Sequence, residues 1–478
     1  MYASKIVAGL LSFLLVSGYL GAQEPAAVDP GAQTQSFGLG FGLGTQQING
    51  KTFQSLSMVT DVGLGPFGVG LDIKLNYQFY RRPGDAMGFY VRPQDWIVDK
   101  NDDGVLDEGW SPQEMADIYL SKIVYLRYGL KGQPLYAKIG LFEDGTLGNG
   151  FIMGNYSNGV LRPAYTYVGL AFDLDGVLFG FPYVGLETFT NSISTYDLLG
   201  GRVYVRPLKM FNIPVFGDLQ IGGTVVTDTD PYAIYRKTEI ASTAKDNELA
   251  TYGGSQVLVY GGDFRQPLVN LPGVFSLALF GDLVKQKDAA GGMVGLGGNL
   301  LVLNYSSQLR ILGENFQAVY FDRSYDLSRV SKLKTYNNYA DHKVPAFNGW
   351  YFQIGTNLLD GQIAFSSSIE GPLGTVATPD PTGALLPKIR STLKLDGTKL
   401  LPVPISLTGY YDKDKIADLS SIFSPEDALI GATLSYKIGA ATLNLVYDVR
   451  YIPQEKQVPG STSNFVVTSK LETAISLF

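Results

Sequence analysis

The sharpest local motif in the sequence is Asp99-Lys-Asn101-Asp-Asp103-Gly104-Val105-Leu-Asp107-Glu108. Asp99, Asn101, Asp103 and Asp107 put oxygen-bearing side chains at positions 1, 3, 5 and 9 of a loop with glycine at position 6. The Val105 carbonyl would fill position 7, which is the head of a calcium-binding loop of the EF-hand type. Trp110 stands where the twelfth-position Glu would give bidentate ligation, so a bound Ca²⁺ would be held weakly, on the order of 10⁻⁴–10⁻³ M. Two readings stand side by side: a structural Ca²⁺ clamp, and an acidic turn that binds nothing. No other cofactor is expected. Ser111-Pro-Gln-Glu114 then reads as a capping box that opens a short helix.

Residues 144–159 (DGTLGNGFIMGNYSNG) space glycines around an apolar centre, Phe151, Ile152 and Met153. A fully exposed loop has no need of such a centre. It would either fold into a channel mouth and narrow it or pack on neighbouring loops. The glycines do not lead from a strand into a helix, which excludes a phosphate-binding loop. Catalysis is poorly provided for. The single histidine, His342, sits beside Asp341 in a loop and has no serine elbow near it, whereas acid–base or nucleophilic work needs a positioned dyad. The chain is expected not to be an enzyme.

The elements that must position these loops are strands. From Phe67 to Phe79 the odd positions read Phe, Val, Leu, Ile, Leu, Tyr, Phe, and the even ones Gly, Gly, Asp, Lys, Asn, Gln. That is a period of two without error. Ala441–Tyr451 divides in the same way, as do segments 363–369, 389–395, 403–411 and 430–438. The charges Asp72, Lys74, Arg202, Asp218, Asp448 and Arg450, with Lys138, Asp282, Arg310, Arg390, Lys394 and Lys437, fall on the polar parity. An Arg or Lys facing lipid at mid-bilayer costs about 2–4 kcal/mol, so this segregation assigns them to a lumen. Strands are expected near 36–48, 52–63, 67–80, 119–130, 134–143, 164–175, 177–189, 198–206, 213–226 and 255–265. The second half continues at 273–286, 292–302, 305–316, 347–358, 361–370, 388–396, 402–412, 427–438, 440–451 and 463–478. Connections alternate between tight (Gly65-Pro66, Lys131-Gly132, Asp175-Gly176, Asp360-Gly361, Asp396-Gly397, Gly439) and long (81–118, 144–163, 227–254, 317–346, 371–387, 413–426, 452–462). Asn49-Gly50 and residues 287–291 are short on the long side. A soluble sandwich has no reason to gather its long loops at one end.

Composition agrees. Residues 1–22 carry one charge, Lys5, followed by the apolar run Ile6–Leu20 and small Ala22 at the expected cut, and they read as a signal peptide; 23–35 read as a flexible leader, and 36–478 as the folded part. Without the signal, 36 basic residues face 44 acidic ones, a net charge of −8 that argues against nucleic acid as a partner. With no cysteine, an exported chain must hold together by backbone pairing and burial alone. Tyr77, Phe79, Tyr80, Tyr410, Tyr411, Tyr447 and Tyr451 stand at strand ends, where a ring can sit in lipid and a hydroxyl at the headgroups.

In this pattern, over almost its whole mature length, the chain resembles the bacterial outer-membrane β-barrel proteins. Its terminal Phe478 resembles the aromatic end of that class, although the alternate positions behind it hold Ser476, Ala474, Glu472 and Lys470, and the apolar face (Leu477, Ile475, Leu471, Val467, Phe465) is one residue out of phase. The resemblance implies an all-β fold: a single transmembrane antiparallel up-and-down β-barrel of roughly 16–22 strands, centred on twenty, with short periplasmic turns and long extracellular loops. It implies outer-membrane lipid and the barrel insertion machinery as partners. The function expected is a porin-like channel for small hydrophilic solutes; the alternative is a surface-exposed structural or adhesive barrel with a closed lumen. Monomer and trimer both stay open.

Overall fold

The structure is a computed structural model that describes residues 36–48, 51–81, 87–100, 104–161, 166–211, 213, 215–237, 249, 251–359, 362–374, 385–397, 404–438, 441–451 and 465–476. The expected signal peptide and leader (1–35), Asn101, Asp103 and Phe478 lie outside them.

One antiparallel sheet runs through the chain. Its first strands are β1 (Ser36–Ile48), β2 (Lys51–Leu64), β3 (Phe67–Arg81), β4 (Met87–Val91), β5 (Ile123–Tyr128), β6 (Leu135–Gly140) and β7 (Gly169–Asp175). The next are β8 (Val184–Thr190), β9 (Leu198–Val205), β10 (Gln220–Asp228), β11 (Val257–Leu271), β12 (Phe275–Gln286), β13 (Ala289–Leu300) and β14 (Leu303–Leu312). The last are β15 (Phe347–Leu358), β16 (Ile363–Pro372), β17 (Lys388–Asp396), β18 (Ile405–Lys413), β19 (Ala428–Ile438), β20 (Ala441–Tyr451) and β21 (Phe465–Ser476). Apart from β4, each strand pairs with the next along the chain, and β1 pairs with β21 (Gly40 opposite Ser476, Thr45 opposite Leu471), so the ladder returns to its start. Among the described residues β4 pairs only with the outer end of β3, Tyr77–Arg81, while β3 goes on to β5; without β4 the ring they form has twenty strands. An even, fully paired ring leaves no open edge, the condition for strands to cross a bilayer. No helix among the described residues is long and apolar enough to do so.

Alternation fixes which face is which. On β10, Ile221 and Val225 are exposed on the outer face while Thr224, Val226 and Asp228 are buried inside. Leu43, Leu56, Val203, Leu258, Val294, Leu309, Leu445 and Leu471 continue the exposed apolar exterior around the ring. The chain is a transmembrane β-barrel.

Two of the departures from the expected connections have a local cause. The expected turn at Asp175-Gly176 is a longer crossing, residues 176–183, because Asp175 Oδ1 accepts the Val177 N–H at 3.0 Å and winds a 3₁₀ turn, Gly176–Phe179. β5 is shorter than expected because helix α1 (Pro112–Leu120) occupies the residues before it; both bonds of its Ser111–Glu114 capping box are present. Two further helices are α2 (Ala233–Lys237) and α3 (Tyr325–Tyr336), the latter within the long 313–346 connection. The main core lies inside the ring: side chains of 142–156 and 316–336 pack on the inner faces of β6–β14.

Candidate functional site

Several of the charges expected on the inward parity are paired in the structure. Lys74 reaches Asp72 at 2.5 Å, and Tyr410 donates its hydroxyl to Asp448 Oδ1 at 3.1 Å. Arg202 is fully enclosed: its Nε and Nη2 donate to Asp263 at 2.9 and 2.6 Å, and its Nη1 to Glu187 at 2.7 Å. Arg310 pairs with Glu370, and Arg390 with Asp414, each at 2.6 Å. The side chain of Arg450 lies outside the described residues; its backbone pairs with Leu429. Asp218 corrects the expectation. It is not on a strand but in the 3₁₀ turn Phe216–Asp218 before β10, exposed and paired with Lys209. Val215, at φ +69°, turns the chain there and delays the strand until Gln220.

Residues 144–159 enter the ring. Phe151, Ile152 and Met153 are 1 %, 3 % and 0 % exposed, within the core cluster. Phe151 stacks on Phe316 with centroids 5.8 Å apart and lies under the Arg310 guanidinium of the wall. The segment does not act alone. The Val319 N–H donates to Phe151 O (2.9 Å), Phe321 N–H to Ile152 O (3.1 Å) and Gly154 N–H to Phe321 O (3.2 Å), a short parallel pairing of two loops within the lumen. Wall charges hold it from the other side: Gly148 N–H donates to Glu187 at 3.0 Å, and the Asn149 amide to Asp282 at 3.0 Å. Gly148, at φ +57°, sits where a Cβ would meet Arg202 Nε at 2.9 Å, so this contact requires glycine. Gly291 on β13 does the same for the second loop, since a Cβ there would lie 2.5 Å from the Phe316 ring.

Helix α3 was not visible in the sequence. Its buried face carries Tyr325, Asp326, Arg329, Leu333 and Tyr336. Arg329, 2 % exposed, gathers three carboxylates: Asp197 at 2.5 Å, Asp326 at 3.0 Å and Asp228 at 3.5 Å. Tyr156 donates to Asp326 at 3.0 Å, and Tyr325 to Asp228 at 2.7 Å. Burial works against the charge on Asp197, yet Arg329 and the Thr195 hydroxyl hold its carboxyl below the ordinary range. Burial wins at Asp326, whose carboxyl is raised despite Arg329, and it pushes the Tyr156 hydroxyl well up. One cation thus ties residues 156, 197, 228 and 326 together.

The opposite face of α3 looks onto open space. A cavity of about 1050 Å³ runs beside the inserted loops, lined by Ser328, Ser331, Lys332 and Thr335 of α3. Across from them stand Gln308, Tyr351, Gln353, Ser366, Ser368, Arg390 and Asp412 of the wall. Arg265 and Lys388 join this lining; among the described residues neither has a carboxylate within ion-pair distance. The lining mixes hydroxyls, amides and both signs of charge, which suits hydrated solutes better than apolar ones.

In the acidic loop, Gly104 N–H donates to Asp99 Oδ2 at 2.9 Å and Lys100 N–H to Asp107 Oδ2 at 2.6 Å, with Gly104 at φ +83°. Val105 is exposed. His342 is half-buried, with Nδ1 3.0 Å from Asp341.

Similar solved structures include Wzi, an outer membrane protein involved in group 1 capsule assembly in Escherichia coli and described as a carbohydrate-binding β-barrel (11 % identity, 93 % of this chain and 85 % of that one, TM-score 0.32). Others are OccK10 of Pseudomonas aeruginosa (11 %, 93 % and 99 %, TM-score 0.32) and OccAB3 of Acinetobacter baumannii (13 %, 92 % and 98 %, TM-score 0.31). The neighbours are bacterial outer-membrane β-barrel proteins. No protein-family model and no curated relative matches the chain. At these identities, solute and ligand have to be read from this chain's own lumen.

Proposed function

We propose that this chain is an outer-membrane, porin-like channel for small hydrophilic solutes, narrowed from within by two external loops. Residues 144–159, with Phe151, Ile152 and Met153 as anchors, and residues 313–346, with α3, form the constriction. The single observation that carries this reading is the cavity of about 1050 Å³, lined by polar and apolar groups alike, that stays open between α3 and the inner wall of β11–β18. A barrel plugged for purely structural ends would gain by packing that side as it packs the other. No catalytic residue is assigned.

The test is conductance of the purified protein in planar bilayers. Stepwise, reproducible channels are expected, and deletion of residues 145–157 should raise the step size while the barrel still assembles. Absence of steps across several preparations would return the chain to a closed, surface-exposed structural barrel.

A further inference from the structure

The short-turn end of the barrel carries a feature that the channel does not use. The connection from β9 to β10, residues 206–219, is long for that end, where β2–β3 is joined by 65–66 and β13–β14 by 301–302. It bends outward over the lipid face of the barrel rather than under the pore. Gln266 shows this: its register opposite Leu279 puts it on the outer parity of β11, yet it is 5 % exposed because its amide donates to Val215 O at 2.6 Å. A primary amide on a lipid-facing wall would otherwise meet hydrocarbon; the turn covers it.

What the turn presents outward is apolar. Met210, Phe211, Ile213, Val215 and Phe216 are all exposed, Phe211 to 64 %. The neighbouring 176–183 turn adds Leu178, Phe181 and Phe179, the last 71 % exposed. The charges at the two ends of the longer turn, Lys209 and Asp218, pair with each other. This surface is continuous with the exposed Val203, Val205 and Ile221 of β9 and β10, which face lipid.

We propose that these two turns form a lipid-interface anchor. They would insert their aromatic and aliphatic side chains into the acyl–headgroup boundary of the inner leaflet, which short turns face in this class of barrel. The anchor fixes depth and tilt on the β7–β10 side, below the wall on which the constriction rests. The proposal depends on the transmembrane fold and not on conduction.

The chain has no cysteine, so single thiols introduced at Phe179→Cys, Met210→Cys and Phe211→Cys can each carry a unique nitroxide. Labelled protein refolded into phosphatidylethanolamine–phosphatidylglycerol vesicles is compared by electron paramagnetic resonance with Val203→Cys, which faces lipid, and Ser368→Cys, which faces the lumen. Heat-modifiable gel migration selects assembled barrels. The expected result is collision with oxygen several-fold above that with a water-soluble nickel chelate, as at residue 203. Nickel access like that at residue 368 would mean that the turns project into water. Shielding from both reagents with spin–spin broadening would mean that a second copy covers them. Either outcome overturns the proposal. Met210→Cys, at the start of the turn, remains informative if substitution of a phenylalanine impairs assembly.

Discussion

Replacing Arg329 by leucine tests whether electrostatics hold α3 in the lumen. The guanidinium is 2 % exposed and serves Asp197, Asp228 and Asp326, which belong to three separate segments of the chain. Without it, three enclosed carboxylates face one another with no cation among them, left with hydroxyl and amide donors such as the Tyr156 and Tyr325 hydroxyls and the Asp230 N–H. Removing one partner of a buried ion pair costs about 3–5 kcal/mol, because the remaining charge stays buried and uncompensated. That corresponds to between about two and four orders of magnitude in the ratio of docked to released plug. The strand ring, whose pairing does not pass through Arg329, should still form. In planar bilayers the variant should show larger and noisier steps than the parent, and limited proteolysis should cut within 320–340 where the parent resists. Adding Asp197→Asn, Asp228→Asn and Asp326→Asn to the leucine variant removes the stranded charge and should restore much of the docking. The reasoning is refuted if Arg329→Leu leaves both conductance and protection unchanged in assembled barrels, or if the multiple variant is no better docked than the single one.

Three other outcomes follow from the same geometry. Gly291→Leu places side-chain atoms where Phe316 now lies, so it should displace the 313–346 loop and raise conductance without altering the strand-dominated circular dichroism; unchanged conductance would place Phe316 elsewhere. Docking should also depend on pH in both directions: Asp197, with its carboxyl held down, supports docking above the ordinary carboxylate range and loses this as pH falls through its folded value, whereas Asp326, with its carboxyl raised, supports docking at lower pH and loses this as pH rises through its folded value. Conductance should therefore pass through a minimum spanning the ordinary carboxylate range, and Asp326→Asn should weaken the upper limb; a flat profile would count against the cluster. For the loop of Asp99, Asn101, Asp103, Val105 and Asp107, calcium titration should reveal one site in the millimolar or sub-millimolar range that is lost in Asp99→Ala with Asp103→Ala, and no calcium-dependent signal at millimolar ion would leave an acidic turn closed by the Gly104 and Lys100 amides.

Much of the ring was legible because its period is imposed from outside. Lipid admits only apolar side chains on one parity, so Phe67–Phe79 announces β3, and β1, β15 and β17 begin and end where the alternation does. The loops have no such external constraint. Helix α3 stayed hidden because its buried face includes Asp326 and Arg329, which a hydropathy pattern assigns to water. Their burial is explained only by Asp197 and Asp228, far away in the sequence. Asp218 misled for the opposite reason: it shares the parity of the strand that follows it, but Val215, at φ +69°, ends the turn too late for it to join.

A signal for the inserted loops was nonetheless present, in residues that break the rule used to find the barrel. An inner face open to water should be polar throughout, as in the run Ser306, Gln353, Ser368, Arg390 and Asp412, which the register places side by side on β14–β18. On β10–β12 the inward positions instead include Val226, Val257, Val259 and Val284, each buried to 4 % exposure or less. Side chains from a twenty-strand wall cannot span such a lumen alone. Inward valines on neighbouring strands therefore require an apolar partner supplied from elsewhere in the chain. The loop with an apolar centre, Phe151-Ile-Met153, is such a partner, and the aromatic run Tyr320-Phe321 is the other. The polar sector and the valine sector divide the ring into a side that borders the open cavity and a side that packs the inserted loops. Moving that boundary by converting Val259 to threonine should loosen the inserted loops without touching the cavity lining. If Val259→Thr instead leaves their protease resistance intact, the loops are held by their polar contacts, the Arg329 cluster and the Glu187 and Asp282 bonds, rather than by the valine sector.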